Sequence, residues 1–163
     1  KLDQLFTVSS EMEGDVSPDI SGLIGQYAHG NEPCHHIPYL YAFTNEKWKG
    51  EARIKEIRKT MYRAQPDGLA GNDDVGQMSS WYVLSALGFY PVNPADGRFV
   101  FGTPLFDQAT IHLNNGQQFV IKRHNSQAKE YVSSIELNGK TLKQNYLDYR
   151  DLMAQGELLF LFD

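Results

Sequence analysis

Residues 68–92 read GLAGNDDVGQMSSWYVLSALGFYPV, with two adjacent carboxylates, Asp73 and Asp74, set between glycines just ahead of an apolar run. Two chemistries fit that placement. Aspartate is among the best helix N-caps, and Gln77 lies three residues beyond Asp74, so D-x-x-Q approaches a capping box. A cap needs only one carboxylate, however. The second adds like-charge repulsion, which the positive end of the helix partly offsets. An ionised carboxylate held at such a place suits a general base or a cation ligand.

A second polar stretch, GQYAHGNEPCHHIPY, runs from Gly25 to Tyr39. It gathers His29, Asn31, Glu32, His35 and His36, with Gln26 and Tyr27 just upstream. A zinc site on a helix needs histidines on one face, and Gly30 and Pro33 interrupt any helix that would align His29 with His35. Oxygen donors from Gln26, Asn31 and Glu32 suit a hard cation such as calcium better. Polar groups interleaved with aromatic rings also describe a sugar site. The plain alternative is that Asn31 or Glu32 caps a helix after Pro33 while the histidines pack in a core. Cys34 beside His35 lacks a third partner for nucleophilic catalysis. Ser79 and Ser80 lack the elbow of a serine hydrolase, and the scattered glycines match no phosphate loop.

These residues need elements to position them. Leu2, Leu5 and Phe6 share one face of a short opening helix, and EGDVSPDISGLIG reads as loop. His35 to Asn45 reads as a helix with Pro38 in its first turn. From Gly50 to Tyr62, the stripe Ala52, Ile54, Ile57 and Met61 opposes a Lys/Arg face, giving a half-exposed amphipathic helix. Gly76 to Leu87 is apolar on nearly every side, which predicts a buried helix containing Trp81, ended by Gly88. Trp48, among charges, reads as a lid or interface residue. Beyond residue 96 the period changes to two. Ile111 and Leu113, then Asn115-Gly116, then Phe119 and Ile121 predict a hairpin with a type I′ turn. Ile135 and Leu137, Asn138-Gly139 and Leu142 predict another, and ELLFLF a buried strand. Helices followed by strands predict an α+β chain, divided into residues 1–95 and 96–163.

The 163 residues, 41% of them hydrophobic, suffice for one substantial core or two small ones. The net charge of −5 argues against a broad nucleic-acid surface, and no apolar run reaches the length of a membrane span. Cys34 is the single cysteine, so no internal disulfide forms. The chain opens on KLDQLFTV and closes on LLFLFD, which reads as a piece of something longer.

GLIGQYAHGNEPCHHIPYLY and DGLAGNDDVGQMSSWYVLSALGFYPVNP together resemble the C-terminal catalytic module of glycoside hydrolase family 92, the calcium-dependent exo-acting α-mannosidases. The resemblance implies part of an (α/α)6 helical barrel over residues 1–95, then a small antiparallel β subdomain over 96–163. It implies Asp74 as general base, with Asp73 and Asn72 beside it; some relatives carry a carboxylate where Asn72 stands. It implies Glu32, Asn31 and Gln26 as Ca2+ ligands, and His29, Asn31, Glu32 and Asn72 as contacts to mannose. The implied reaction is hydrolysis of terminal α-linked mannose with inversion, in a periplasmic or secreted setting. The implied general acid is a glutamate upstream of this chain. The expected partners are therefore a mannose-containing glycan and the missing N-terminal portion of the same enzyme. Alone, the piece is expected to be inactive and to self-associate through exposed helix faces. A carbohydrate-binding or purely structural domain is the alternative.

Overall fold

The computed structural model describes residues 1–15, 17, 20–125 and 129–162. The expected loop of residues 13–25 falls partly on Val16, Pro18 and Asp19, outside the described residues. The architecture is mixed α+β, with several short helices and three β-sheets. In chain order come α1 (Leu2–Thr7), the β1–β2 hairpin (Leu23–Ile24, Tyr27–Ala28), 3₁₀ turns at Glu32–Cys34 and Ile37–Phe43, α2 (Lys47–Thr60) and α3 (Gln77–Leu87). Strands β3 (Phe89–Tyr90) and β4 (Arg98–Phe101) follow, then β5 (Gln108–His112), β6 (Gln118–His124), β7 (Ser134–Leu137) and β8 (Lys140–Thr141). The chain closes with β9 (Tyr146–Asp148), α4 (Tyr149–Leu152) and β10 (Gly156–Leu161). Among the described residues no helix is long and apolar enough to cross a membrane.

Two cores hold these elements. The first joins Phe6, Tyr27, Tyr39, Ile54, Ile57 and Trp81. The second joins Phe89, Phe101, Phe119, Ile121, Leu158 and Phe160. They meet at the β3-β4-β9 sheet, where Tyr90 and Val100 pair in register and belong to the first core while Phe89 and Phe101 pair and belong to the second. That sheet spans residue 95.

Several sequence expectations change. The helices of this chain do not by themselves form an (α/α)6 ring. The five-stranded sheet, ordered β5-β6-β10-β7-β8, is mixed rather than antiparallel, because β10 runs parallel to β6. Parallel pairing needs a long crossover, and everything between His124 and Gly156 supplies it. Residues 37–43 wind as a 3₁₀ helix instead of the expected α-helix. The buried face of α2 carries Glu51 and Arg58 beside Ile54 and Ile57, where the apolar stripe predicted no charge. Arg58 Nη1 donates to the Ser85 carbonyl at 2.6 Å and the Thr103 carbonyl at 2.8 Å, tying α2 to α3 and the tail. Helix α3 is not apolar all round in use: Met78, Trp81, Ser85 and Ala86 are buried, whereas Val83 is 56% exposed.

The two Asn-Gly dipeptides also diverge. Asn138 (φ 51°) and Gly139 (φ 74°) are both left-handed, and Leu137 pairs with Lys140, which makes a two-residue type I′ turn. At the other site only Gly116 is left-handed, and its N–H bonds the Leu113 carbonyl while Leu113 N–H bonds Gln117. That is a type I turn with a G1 bulge over a three-residue loop, set by strand spacing rather than by the dipeptide.

Candidate active site

The two polar motifs meet backbone to backbone. A Cβ added to Gly71 would lie 2.7 Å from the Gly30 carbonyl oxygen and 2.8 Å from Gly30 Cα. Glycine at 71 allows this approach, and a Cβ on Gly30 would instead strike the Ser21 hydroxyl. The approach sets Asn31 and Glu32, both half-buried, on one side of the contact, and Asn72, Asp73 and Asp74 on the other.

The paired aspartates do different things. Asp73 accepts the Ser79 N–H at 2.9 Å through Oδ1 and the Ser79 hydroxyl at 3.0 Å through Oδ2. Its own carbonyl takes the Met78 N–H, and the Asp74 carbonyl takes that of Gln77. The orphan donors of the first turn of α3 are thereby satisfied. The expected capping box from Asp74 to Gln77 does not form: Gly76 is the N-cap, and Asp73 reaches in from three residues outside the helix. Gln77 turns inward instead, donating to the Tyr90 hydroxyl at 2.9 Å and to His35 Nδ1 at 3.3 Å.

Asp74 is exposed, and no described residue donates to its carboxylate. Its backbone is left-handed (φ 45°), as are Val75 (φ 58°) and Gly76 (φ 91°). Left-handed aspartate is tolerated, but a β-branched residue there is strained, and such strain concentrates at functional sites. Val75 is fully exposed, so no burial accounts for its shape. The turn holds one carboxylate to the helix and projects the other outward.

Beneath the turn lies a closed polar network. His29 is wholly buried. Its Nδ1 meets the Tyr27 hydroxyl at 2.8 Å and its Nε2 the Tyr62 hydroxyl at 2.7 Å. Tyr62 donates to the Met78 carbonyl at 3.0 Å, so His29 Nε2–H must donate to Tyr62, and Nδ1 must accept from Tyr27. The imidazole is neutral: burial, with neighbouring His35 adding to it, holds its pKa down at about 3. His35 is also depressed, chiefly by burial. Its Nε2 donates to the His29 carbonyl at 2.9 Å, and its own carbonyl takes the Trp81 indole N–H at 3.0 Å. The two imidazoles stack at 4.6 Å, and Trp81 meets His29 edge-on at 4.5 Å. This box fixes α3 and its N-terminal turn against β2.

The expected site residues thus divide. Asn31, Glu32, Asn72, Asp73 and Asp74 flank the Gly30–Gly71 contact. His29, expected to touch sugar hydroxyls, has both ring nitrogens committed inside the core. Gln26 is exposed, and its amide N–H₂ donates to the Ser9 carbonyl at 2.6 Å. Sequence reading overlooked Ser79 as the partner of Asp73 and Tyr62 as the second anchor of His29. The serine three residues beyond Gly76 was the one available signal. Trp48, expected as a lid or interface, packs on Tyr131 at 5.6 Å.

The donor set offers little to a metal on its own. Among the described residues no group of three or more His, Cys, Asp or Glu is placed to hold an ion. Glu32 and Asn31 fit two positions of a shell that calcium fills with six to eight oxygens.

Comparison with known proteins gives this geometry its context. The sequence profile of the glycosyl hydrolase family 92 catalytic domain matches residues 1–163. The chain belongs to glycosyl hydrolase family 92. A family 92 α-mannosidase of Bacteroides thetaiotaomicron, solved in complex with mannoimidazole, superposes with a TM-score of 0.89 at 41% identity, over 99% of this chain and 21% of that one. A family 92 inverting mannosidase of the same organism gives 0.79 at 34% identity, over 99% of this chain and 23% of its own. A protein of Arthroderma benhamiae described as an uncharacterized secreted glycosidase is 26% identical over 133 residues, 79% of this chain and 17% of its own. The family 92 chain therefore spans about a fifth of the length of the proteins it matches.

Proposed function

We propose that this chain is the base-bearing portion of an inverting exo-α-mannosidase that removes terminal mannose from glycans outside the cytoplasm, in the periplasm or after secretion. Asp74 is the general base. One observation carries the assignment: of the two adjacent carboxylates, Asp73 is consumed by Ser79, whereas Asp74 is exposed with no donor from the described residues. A carboxylate without protein donors keeps its lone pairs for water, and the strained turn fixes where that water sits. The base deprotonates a water attacking the anomeric carbon from the face opposite the leaving oxygen, which inverts the configuration. Asp73 is a positioning residue, and the neutral histidine box keeps the turn in register. Asn72, Asn31 and Glu32 supply amide and carboxylate contacts to the sugar hydroxyls.

The general acid comes from a part of the enzyme that this chain does not span, as does most of any calcium shell, with Glu32 and Asn31 as its local ligands. Bound calcium supplies a positive charge to sugar hydroxyls in the site. The isolated chain lacks the acid and is inactive, and the open α3 face around Val83 is covered in the whole enzyme or drives self-association.

The test compares Asp74→Asn with Asp73→Asn in the full-length protein that carries this chain, with hydrolysis of an aryl α-mannoside as readout. Asp74→Asn is expected to lower kcat by about 10²–10⁴-fold while leaving Tm unchanged. Asp73→Asn is expected to lower Tm with a smaller loss of kcat. Near-normal kcat for Asp74→Asn would place the base elsewhere.

A further inference from the structure

A cavity of about 240 Å³ opens between α2, the end of β4 and the β7–β8 arm of the mixed sheet. Pro38 and Tyr39, at the end of the first polar stretch, reach its lining, but Asn31, Glu32 and residues 68–77 do not. Its apolar lining comes from Ile54, Phe101, Ile135 and Leu142, and its polar lining from Ser134, Thr141, Gln144 and Asn145.

Glu51 sits in this lining with 6% of its surface exposed. One oxygen accepts the Val132 N–H at 3.0 Å. Among the described residues no cation forms an ion pair with it. Burial pushes its pKa up to about 7, against the Val132 hydrogen bond and the more distant Lys55 and Lys47 charges, which draw it down. A buried carboxyl is costly unless hydrogen-bonded, and a single backbone donor leaves most of its accepting capacity unused.

We infer that this cavity is a binding site for a neutral, hydroxyl-rich ligand the size of one hexose. The lining chemistry favours such a ligand over the other classes. Lys47 and Lys143 line the cavity and repel a cation, and an anion drawn by them would meet the Glu51 carboxyl, which accepts hydrogen bonds. An apolar ligand would cover the carboxyl and the amides without bonding them. A polyol suits both parts of the lining: C–H groups for Phe101 and Leu142, and hydroxyls for Glu51, Gln144 and the amide oxygen of Asn145, whose N–H₂ donates to the Ala42 carbonyl. The inference does not depend on Asp74 being a base.

Hydrogen exchange by mass spectrometry on the full-length protein tests it, with mannitol, free hexoses and a branched oligosaccharide as ligands. Saturable protection of peptides from 130–145 is expected at millimolar ligand. Protection there by free hexose alone identifies a soluble sugar, and stronger protection by the oligosaccharide identifies a glycan arm. Peptides from 68–78 report the catalytic site separately, so failure of either reading is visible on its own. Thr141→Trp, at an exposed strand position, is expected to fill the opening and weaken protection at least tenfold, with exchange elsewhere unchanged. The inference is overturned if no neutral polyol protects 130–145, if Thr141→Trp is protected like the parent, or if ammonium or acetate protects as well as a hexose.

Discussion

Two buried titratable sites of the family 92 chain, the histidine box and Glu51, are treated oppositely. In the histidine box every ring nitrogen of His29 and His35 has a partner, and both imidazoles stay neutral. At the seam between α2 and the tail, Glu51 has one backbone donor and faces a cavity. A fully satisfied polar cluster specifies one arrangement, whereas a partly satisfied one leaves bonding capacity for something else. The box is therefore built to hold the acidic turn, and the seam is built to accept a ligand or to change with pH.

The largest break in that comparison comes from the box. His29→Leu orphans the Tyr27 hydroxyl in the core and takes away the donor to Tyr62, and a loss of about 3–5 kcal/mol is expected in denaturant unfolding. Glu51→Gln keeps the Val132 hydrogen bond and removes the titration. Above pH 7 it is expected to stabilise by about 1–3 kcal/mol.

The pH profiles sharpen the contrast, because the signs differ. The native pKa of Glu51 is raised from 4.5 to about 7, so between those values the native state holds more protons than the unfolded one. Its contribution is complete at low pH and is lost as pH rises through about 7. The native pKa of His29 is depressed from 6.5 to about 3, so its contribution is complete above 6.5 and is lost as pH falls. Between 4.5 and 6.5 the two slopes oppose and flatten the profile of the parent. Glu51→Gln is expected to expose the histidine slope, with stability rising across that window by at most about 1.4 kcal/mol per pH unit for one proton. A profile for Glu51→Gln as flat as the parent's would show that one of the two groups does not titrate as described.

The smallest effect lies in the turn. Val75→Gly relieves a left-handed β-branched residue but loosens the unfolded chain, and the net gain expected in Tm corresponds to no more than about 1 kcal/mol. If the strain positions Asp74, kcat falls in this variant even as stability holds.

Much of this was written in local sequence. The apolar periods placed α2 and α3, Gly88 ended α3, and the alternation around 111, 119 and 135 with the apolar run from 158 placed β5, β6, β7 and β10, because helix and strand signals reside within a few neighbours. The resemblance that the two polar stretches carry led to the family, and the fold brings them together at Gly30 and Gly71. Tertiary structure decided what the neighbours could not. Asp73 and Asp74 look alike in sequence, and only the path of the left-handed turn gave one to Ser79 and left the other outward. His29 looked like a ligand until Tyr27 and Tyr62, thirty-five residues apart in the chain, closed on its two nitrogens. Glu51 looked like the solvent face of a helix until the segment at Val132 folded over it. The parallel register of β10 with β6 depended on a crossover. Each of these was set by a partner distant in sequence, and burial and hydrogen-bond choice are properties of the packed neighbourhood rather than of the residue.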